Sequence, residues 1–176
     1  MRDIITNKPN VVLNRKHFFF LICLSLFLLF SNTYIYAQPE NPPHPISATT
    51  IRNLAFGAFS QGIVGGTVSI DPYGVRINSG DVILLNLGYL FYAANIEVTA
   101  NPGTTISITL GPDISLTDGN GHTMILHLSG LNPNTPFVAT TAITEIYIGG
   151  VLTVGNSLVD PAGNYNGTFS VTFNQE

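Results

Sequence analysis

Gly163-Asn164-Tyr165-Asn166-Gly167-Thr168-Phe169-Ser170-Val171-Thr172-Phe173-Asn174 is the stretch whose reading decides the fold. Tyr165, Phe169, Val171 and Phe173 take odd positions, and Asn166, Thr168, Ser170, Thr172 and Asn174 take even ones. A period of two makes a strand with one buried face and one wet face. Gly167 falls within the apolar series, where glycine marks a bulge or a close backbone approach. A strand this regular needs a sheet to pair with, and the rest of the chain is built to supply one.

Working outward, Asp160-Pro161-Ala162-Gly163 reads as the turn into that strand. Before it, Ala142 to Gly155 contains Gly149-Gly150, which a two-residue hairpin could use. Yet Ile146, Ile148, Leu152 and Val154 are all even-numbered. One long strand keeps all four on one face, whereas a tight hairpin would divide them. One strand running through the glycines is therefore expected. Thr123 to Leu128 sets Met124, Leu126 and Leu128 on one face, and Thr104 to Leu110 does the same with Ile106, Ile108 and Leu110. Ile114 to Leu116 is a short strand between them. Tyr89 to Ala100 carries Ala94, Ile96 and Val98 in alternation, and Val82 to Leu87, apolar on both faces, reads as an interior strand. Thr67 to Ile70 and Val75 to Ile77 flank Asp71-Pro72-Tyr73-Gly74, a type I turn by composition. Thr50 to Phe59 reads as a first strand with a bulge at Gly57. About ten strands separated by turn signals, without helical periodicity after residue 37, predict an all-β antiparallel β-sandwich, Ig-like in preference to a barrel.

The first 37 residues have a different composition. Arg2, Lys8, Arg15 and Lys16 precede an apolar run from Phe18 to Phe30, and Ser31 to Ala37 ends on a small residue. This is the layout of a secretory signal peptide, and the run is shorter than the roughly 20 residues a membrane span needs. Residues 1–37 are thus expected to be a cleaved signal, leaving no stable membrane span. Residues 38–47, with Pro39, Pro42, Pro43 and Pro45, form an extended spacer, and residues 48–176 form one domain. Cys23 lies inside the apolar run, so the mature chain has no thiol and no disulfide. Both lysines also lie in the signal. Arg52 and Arg76 are left against nine acidic residues from Glu40 to Glu176. That balance excludes the basic footprint of a nucleic-acid binder and disfavours anionic lipid.

The sequence offers no catalytic site. The chain has no Gly-x-Ser-x-Gly elbow, phosphate loop or His-Glu-x-x-His. His122 and His127, five apart, face opposite sides of a regular strand, so no shared metal is expected. His44 sits in the spacer. Asp118-Gly119-Asn120-Gly121 has the residues of a turn and lacks the further carboxylates of a calcium loop. Asn166-Gly167-Thr168 matches an N-glycosylation acceptor, which its place on the wet face of a strand explains more simply. Neither cofactor nor metal is implied. Tyr73, Tyr89, Phe91 and Tyr92 are candidates for an aromatic ligand surface, with packing on a sheet as the commoner use of such rings.

Three places carry a family resemblance. The first is Leu54-Ala55-Phe56-Gly57 followed by Gly65-Gly66-Thr67-Val68-Ser69-Ile70. The second is Ile96-Glu97-Val98-Thr99 running into Pro102-Gly103-Thr104-Thr105-Ile106-Ser107-Ile108. The third is Gly149-Gly150-Val151-Leu152-Thr153-Val154-Gly155 with Gly163 to Phe169. Together they resemble the bacterial family called domain of unknown function 4402 (DUF4402), with Gly65, Gly66 and Thr67 as its Gly-Gly-Thr motif. The ending more distantly resembles spore-coat-U and chaperone–usher pilin-like domains. The resemblance implies a secreted β-sandwich and carries over no catalytic residues. Pilins that donate a strand have an N-terminal arm of alternating apolar residues. Here the arm is proline-rich, and Ile46, Ala48, Thr50, Arg52 and Leu54 make a poor donor face.

These readings lead to an exported, non-enzymatic surface or periplasmic protein, structural or adhesive, acting through edge strands. Tyr165, Phe169, Val171 and Phe173 would anchor assembly with itself or other surface proteins. The alternative is a secreted carbohydrate-binding module that meets glycans through Tyr73, Tyr89 and Tyr92.

Overall fold

The alternating Val, Ile and Thr runs form strands in the computed structural model, which describes residues 45–176. The expected signal peptide and residues 38–44 of the spacer lie outside the described residues. The strands are β1 (Ser47–Arg52), β2 (Ala55–Phe56), β3 (Phe59–Ser60), β4 (Gly66–Ile70), β5 (Arg76–Gly80), β6 (Ile83–Leu84) and β7 (Phe91–Tyr92). They continue with β8 (Ala94–Thr99), β9 (Thr105–Leu110), β10 (Ile114–Thr117), β11 (Thr123–Asn132), β12 (Phe137–Val138), β13 (Ile143–Val154) and β14 (Val171–Gln175). Every pairing among them is antiparallel.

A seven-stranded sheet runs β1-β8-β13-β11-β10, with β4 also on β13 and β5 on β4. A three-stranded sheet runs β12-β9-β14. Ile106 and Ile108 of β9 share one buried cluster with Val68, Ile70, Ile96, Val98, Ile146 and Ile148 of the larger sheet. The two sheets therefore pack across a common core, as the expected antiparallel sandwich requires.

β13 is the axis of the larger sheet. It is one strand of 12 residues, as the even-numbered apolar series requires, and Ile146, Ile148, Leu152 and Val154 are all buried on one face. One of its edges pairs with β11. The other pairs with β8 as far as Ile148 and with β4 from Gly150 onward. Gly149-Gly150 stands where one partner hands over to the next. A Cβ on Gly149 would run into the Ile70 carbonyl oxygen and lie 2.7 Å from that of Ser129. The glycine pair is there because three strands converge on it.

Several sequence expectations are corrected. Val82 to Leu87 is not an interior strand. Only Val82 is buried, Ile83 and Leu87 are exposed, and the two residues of β6 pair with β3 outside the two main sheets. A short apolar run does not reveal whether both faces will be covered. The first strand divides into β1, β2 and β3, with Gly57 in the loop between the last two. β1 also begins at Ser47, inside the stretch assigned to the spacer. Tyr89 to Ala100 divides at Ala93 into β7 and β8.

The closing stretch is also divided. The amide of Asn166 donates to Thr117, and the Thr117 amide donates back to Asn166, at the outer edge of β10. After Ser170, β14 pairs with β9 in the other sheet. Between the two contacts the segment crosses from β10 in one sheet to β9 in the other. Gly167 sits at the start of this crossing, and a Cβ there would lie 2.6 Å from Leu116 Cδ2. The expected close approach at this glycine is present. The alternation survives the break, with Tyr165, Phe169, Val171 and Phe173 packed against the core. The Tyr165 hydroxyl donates back to the Pro161 carbonyl oxygen at 2.9 Å, in the manner of a tyrosine corner.

Candidate functional site

The Gly65-Gly66-Thr67 motif is a junction. Gly65 has φ +80°, and a Cβ there would run into the Val154 carbonyl oxygen at the end of β13. A Cβ on Gly66 would run into the Ser79 carbonyl oxygen of β5. Thr67 Oγ1 meets Ser79 Oγ at 2.7 Å. The motif thus lets β4 start between two backbones that leave no room for side chains, and its role here is architectural.

The margins of the sheets differ from this junction. β1 lies on β8 through a ladder from Ser47↔Thr99 to Arg52↔Asn95. All six of its residues are exposed. Ala48 and Thr50, opposite Val98 and Ile96, are too small to extend the apolar face. The Arg52 side chain adds a tether to the ladder, with Nε donating to the Ala93 carbonyl oxygen and the guanidinium 4.7 Å from the centre of the Tyr92 ring. β14 is the second open margin. Ser170 accepts from the Gly111 amide and Glu176 donates to Thr105, so even-numbered residues bond toward β9. By the alternation of a strand, Val171, Phe173 and Gln175 then turn their amides and carbonyls outward. No strand meets that edge among the described residues.

A groove of about 960 Å³ runs between Leu54 to Phe59 with Tyr89 and Tyr92 on one side and Gly163 to Phe169 on the other. Leu116, Leu126 and Leu152 form its floor. It brings together Tyr89, Tyr92, Tyr165 and Phe169 from the sequence candidates. Tyr89 is 66% exposed, while Tyr92 is half-buried under Arg52. Burial, and then the charges of Asp118 and Asp160, push the Tyr165 phenol up from its ordinary range. Tyr73 projects from the β4–β5 turn and is not among the groove's lining residues. The three tyrosines therefore do not form one platform. Phe91 faces Arg76 instead, whose guanidinium is 5.0 Å from the ring centre.

His122 and His127 do not converge, and each meets its own aspartate. His127 Nδ1 is 2.6 Å from Asp113 Oδ1, and His122 Nδ1 is 2.7 Å from Asp118 Oδ2. Hydrogen bonding by His122, followed by the amides of Asn120 and His122, holds the Asp118 carboxyl at about 2. The sequence reading missed these pairs. The hairpin register would have found them, since Ile114↔Leu126 and Thr117↔Thr123 place Asp113 beside His127 and Asp118 beside His122. No group of three or more metal-ligating side chains occurs among the described residues. No helix there is long and apolar enough to cross a membrane.

An antiparallel two-sheet sandwich with open margins and a side groove is the class these features define. The chain belongs to the family of the domain of unknown function DUF4402, whose model matches residues 46–174. No curated protein and no solved structure matches it.

Proposed function

We propose that this chain is an exported surface or periplasmic protein, structural or adhesive, that acts by strand pairing at its open margins and performs no bond chemistry. The basic and apolar layout of residues 1–37 supports export. The observation that carries the assembly reading is β1, a strand of six residues with every side chain exposed. Such a strand is held by backbone hydrogen bonds, each with a net worth of about 0.5–1.5 kcal/mol. The same ladder forms equally well on β8 of a second copy, which is the condition for exchange between subunits.

Cysteines placed separately at Thr49 and Glu97, which face each other across the β1–β8 ladder, test this. Chains carrying Thr49→Cys alone are mixed with chains carrying Glu97→Cys alone and then oxidised. Disulfide-linked heterodimers, with oligomers in light scattering, are the expected result. A wholly monomeric mixture that does not cross-link removes the strand-exchange reading.

The groove supports a second reading, a glycan site in which Tyr89 offers an exposed ring beside Tyr92. A glycan array on the mature chain tests it. Binding lost in Tyr89→Ala supports the reading, and no hit across the array removes it.

A further inference from the structure

Two adjoining loops at one end of the sandwich carry aliphatic side chains into solvent. Gln61 to Gly65 precedes β4, and Gly155 to Asp160 follows β13. Ile63 is 89% exposed, Val64 84%, Leu158 91% and Val159 59%. The loops are joined, since Gln61 Nε2 donates to the Asp160 carbonyl oxygen and Gly65 packs on Val154 and Gly155. No residue from Gly62 to Gly65 or from Gly155 to Val159 is charged.

Several polar groups of these loops bond within the loops or to Asp81. The Val64 amide donates to Asp81 Oδ2 at 2.8 Å, and the Asp81 amide donates to the Gly65 carbonyl oxygen. Amides of the first loop, that of Val64 foremost, hold the Asp81 carboxyl below the usual carboxylate range. In the second loop Asn156 Oδ1 accepts from the amides of Leu158 and Val159, and the Gly155 amide donates to Asp160 Oδ2. Asp160 is only 3% exposed, so a buried carboxylate braces this loop as Asp81 braces the other. The amides of Val64, Leu158 and Val159, three of the four projecting residues, thus already have acceptors.

We infer that this end of the molecule docks on an uncharged lipid surface, with Ile63, Val64, Leu158 and Val159 entering the headgroup–acyl boundary. Tip amides that already have acceptors cost less to carry out of water than unpaired ones. A protein partner suits the tips less well. Four side chains fall far short of the roughly 20–30 residues a side that stable interfaces use. A fluid layer covers a projecting tip from all directions, and binding then scales with the apolar area inserted. Arg52 and Arg76 are the only arginines after the expected signal, which holds both lysines, and Arg76 is engaged with Phe91 and the Ala58 carbonyl oxygen. Attraction to anionic headgroups therefore plays no part. The inference is independent of strand exchange at β1.

Co-sedimentation with phosphatidylcholine vesicles tests it. The chain is expected to pellet with the vesicles equally at low and high salt. Ile63→Asp combined with Leu158→Asp is expected to weaken binding by at least about tenfold, given the cost of carrying a carboxylate into the bilayer. The chain has no tryptophan, so Leu158→Trp places a single reporter on the tip. Its emission should shift to the blue with vesicles, which also tests the site should the double variant fail to fold. Wild-type chain left in the supernatant overturns the inference, as does binding that needs anionic lipid, equal pelleting of the folded double variant, or unshifted emission from the Leu158→Trp chain. Dimerisation through the tips without vesicle binding overturns it too and assigns the surface to a second copy.

Discussion

β13 and β1 both pair with β8, on opposite edges, yet they hold the protein together to very different degrees. β13 places Ile146, Ile148, Leu152 and Val154 in the core, each no more than 2% exposed, and has strands on both edges. β1 makes a ladder of similar length on its side of β8 and buries no side chain. Backbone pairing is thus common to the two, and apolar burial separates them. Because hydrogen bonds to water are lost as ladder bonds form, side-chain burial decides which strand is structural and which is detachable.

Gly149→Val offers the strongest way to break the comparison at the β13 end. Its side chain would enter the Ile70 and Ser129 carbonyls, and the expected cost exceeds about 4 kcal/mol, enough to abolish the cooperative melt. Ile148→Ala leaves the backbone alone and opens a cavity, with an expected loss of about 2–5 kcal/mol in urea unfolding. Tyr165→Phe removes the hydroxyl that ties the closing segment to Pro161, and should cost about 1 kcal/mol by the same measurement. Thr50→Ala in β1 should stay within about 0.5 kcal/mol of wild type. A large loss at Thr50 would show that β1 is structural after all.

A pH titration sharpens the contrast at the other margin, on β10 and β11. The Asp118 carboxyl is held at about 2 in the folded chain, below its ordinary 3.8. Its contribution is therefore complete above about pH 4 and disappears as pH falls through about 2. Asp118→Asn should flatten that acid limb of stability while leaving Asp113 and His127 untouched. An unchanged acid limb would mean that the His122 pair does not set it.

The sequence made β13 legible because four even-numbered apolar residues span a glycine pair, and only one strand can keep them on one face. The closing alternation was equally legible, including the close approach at Gly167. It could not show that the segment changes sheets, because a period of two reports faces and says nothing about partners. Val82 to Leu87 misled for a related reason, since apolar character on both faces signals burial only when both faces are covered. β1 shows the limit from the other side. Ser47 to Arg52 has strand chemistry, and alternation alone did not reveal that every one of its side chains would stay exposed. The tyrosines were recognised individually, but their division between the groove and the β4–β5 turn depends on how distant strands are brought together. The tips at Ile63 and Leu158 passed unnoticed because two short uncharged loops, far apart in sequence, become neighbours only through β4 and β13.

The closing segment bears on how the chain matures. It touches β10 in one layer and β9 in the other, and it leaves the ribosome after every strand it joins. Until residues 166–175 arrive, neither edge is sealed and Leu116 lacks the cover that Gly167 gives it. Assembly is therefore ordered in time. The segment is in effect a latch, closing on β10 and β9 only after both have been made.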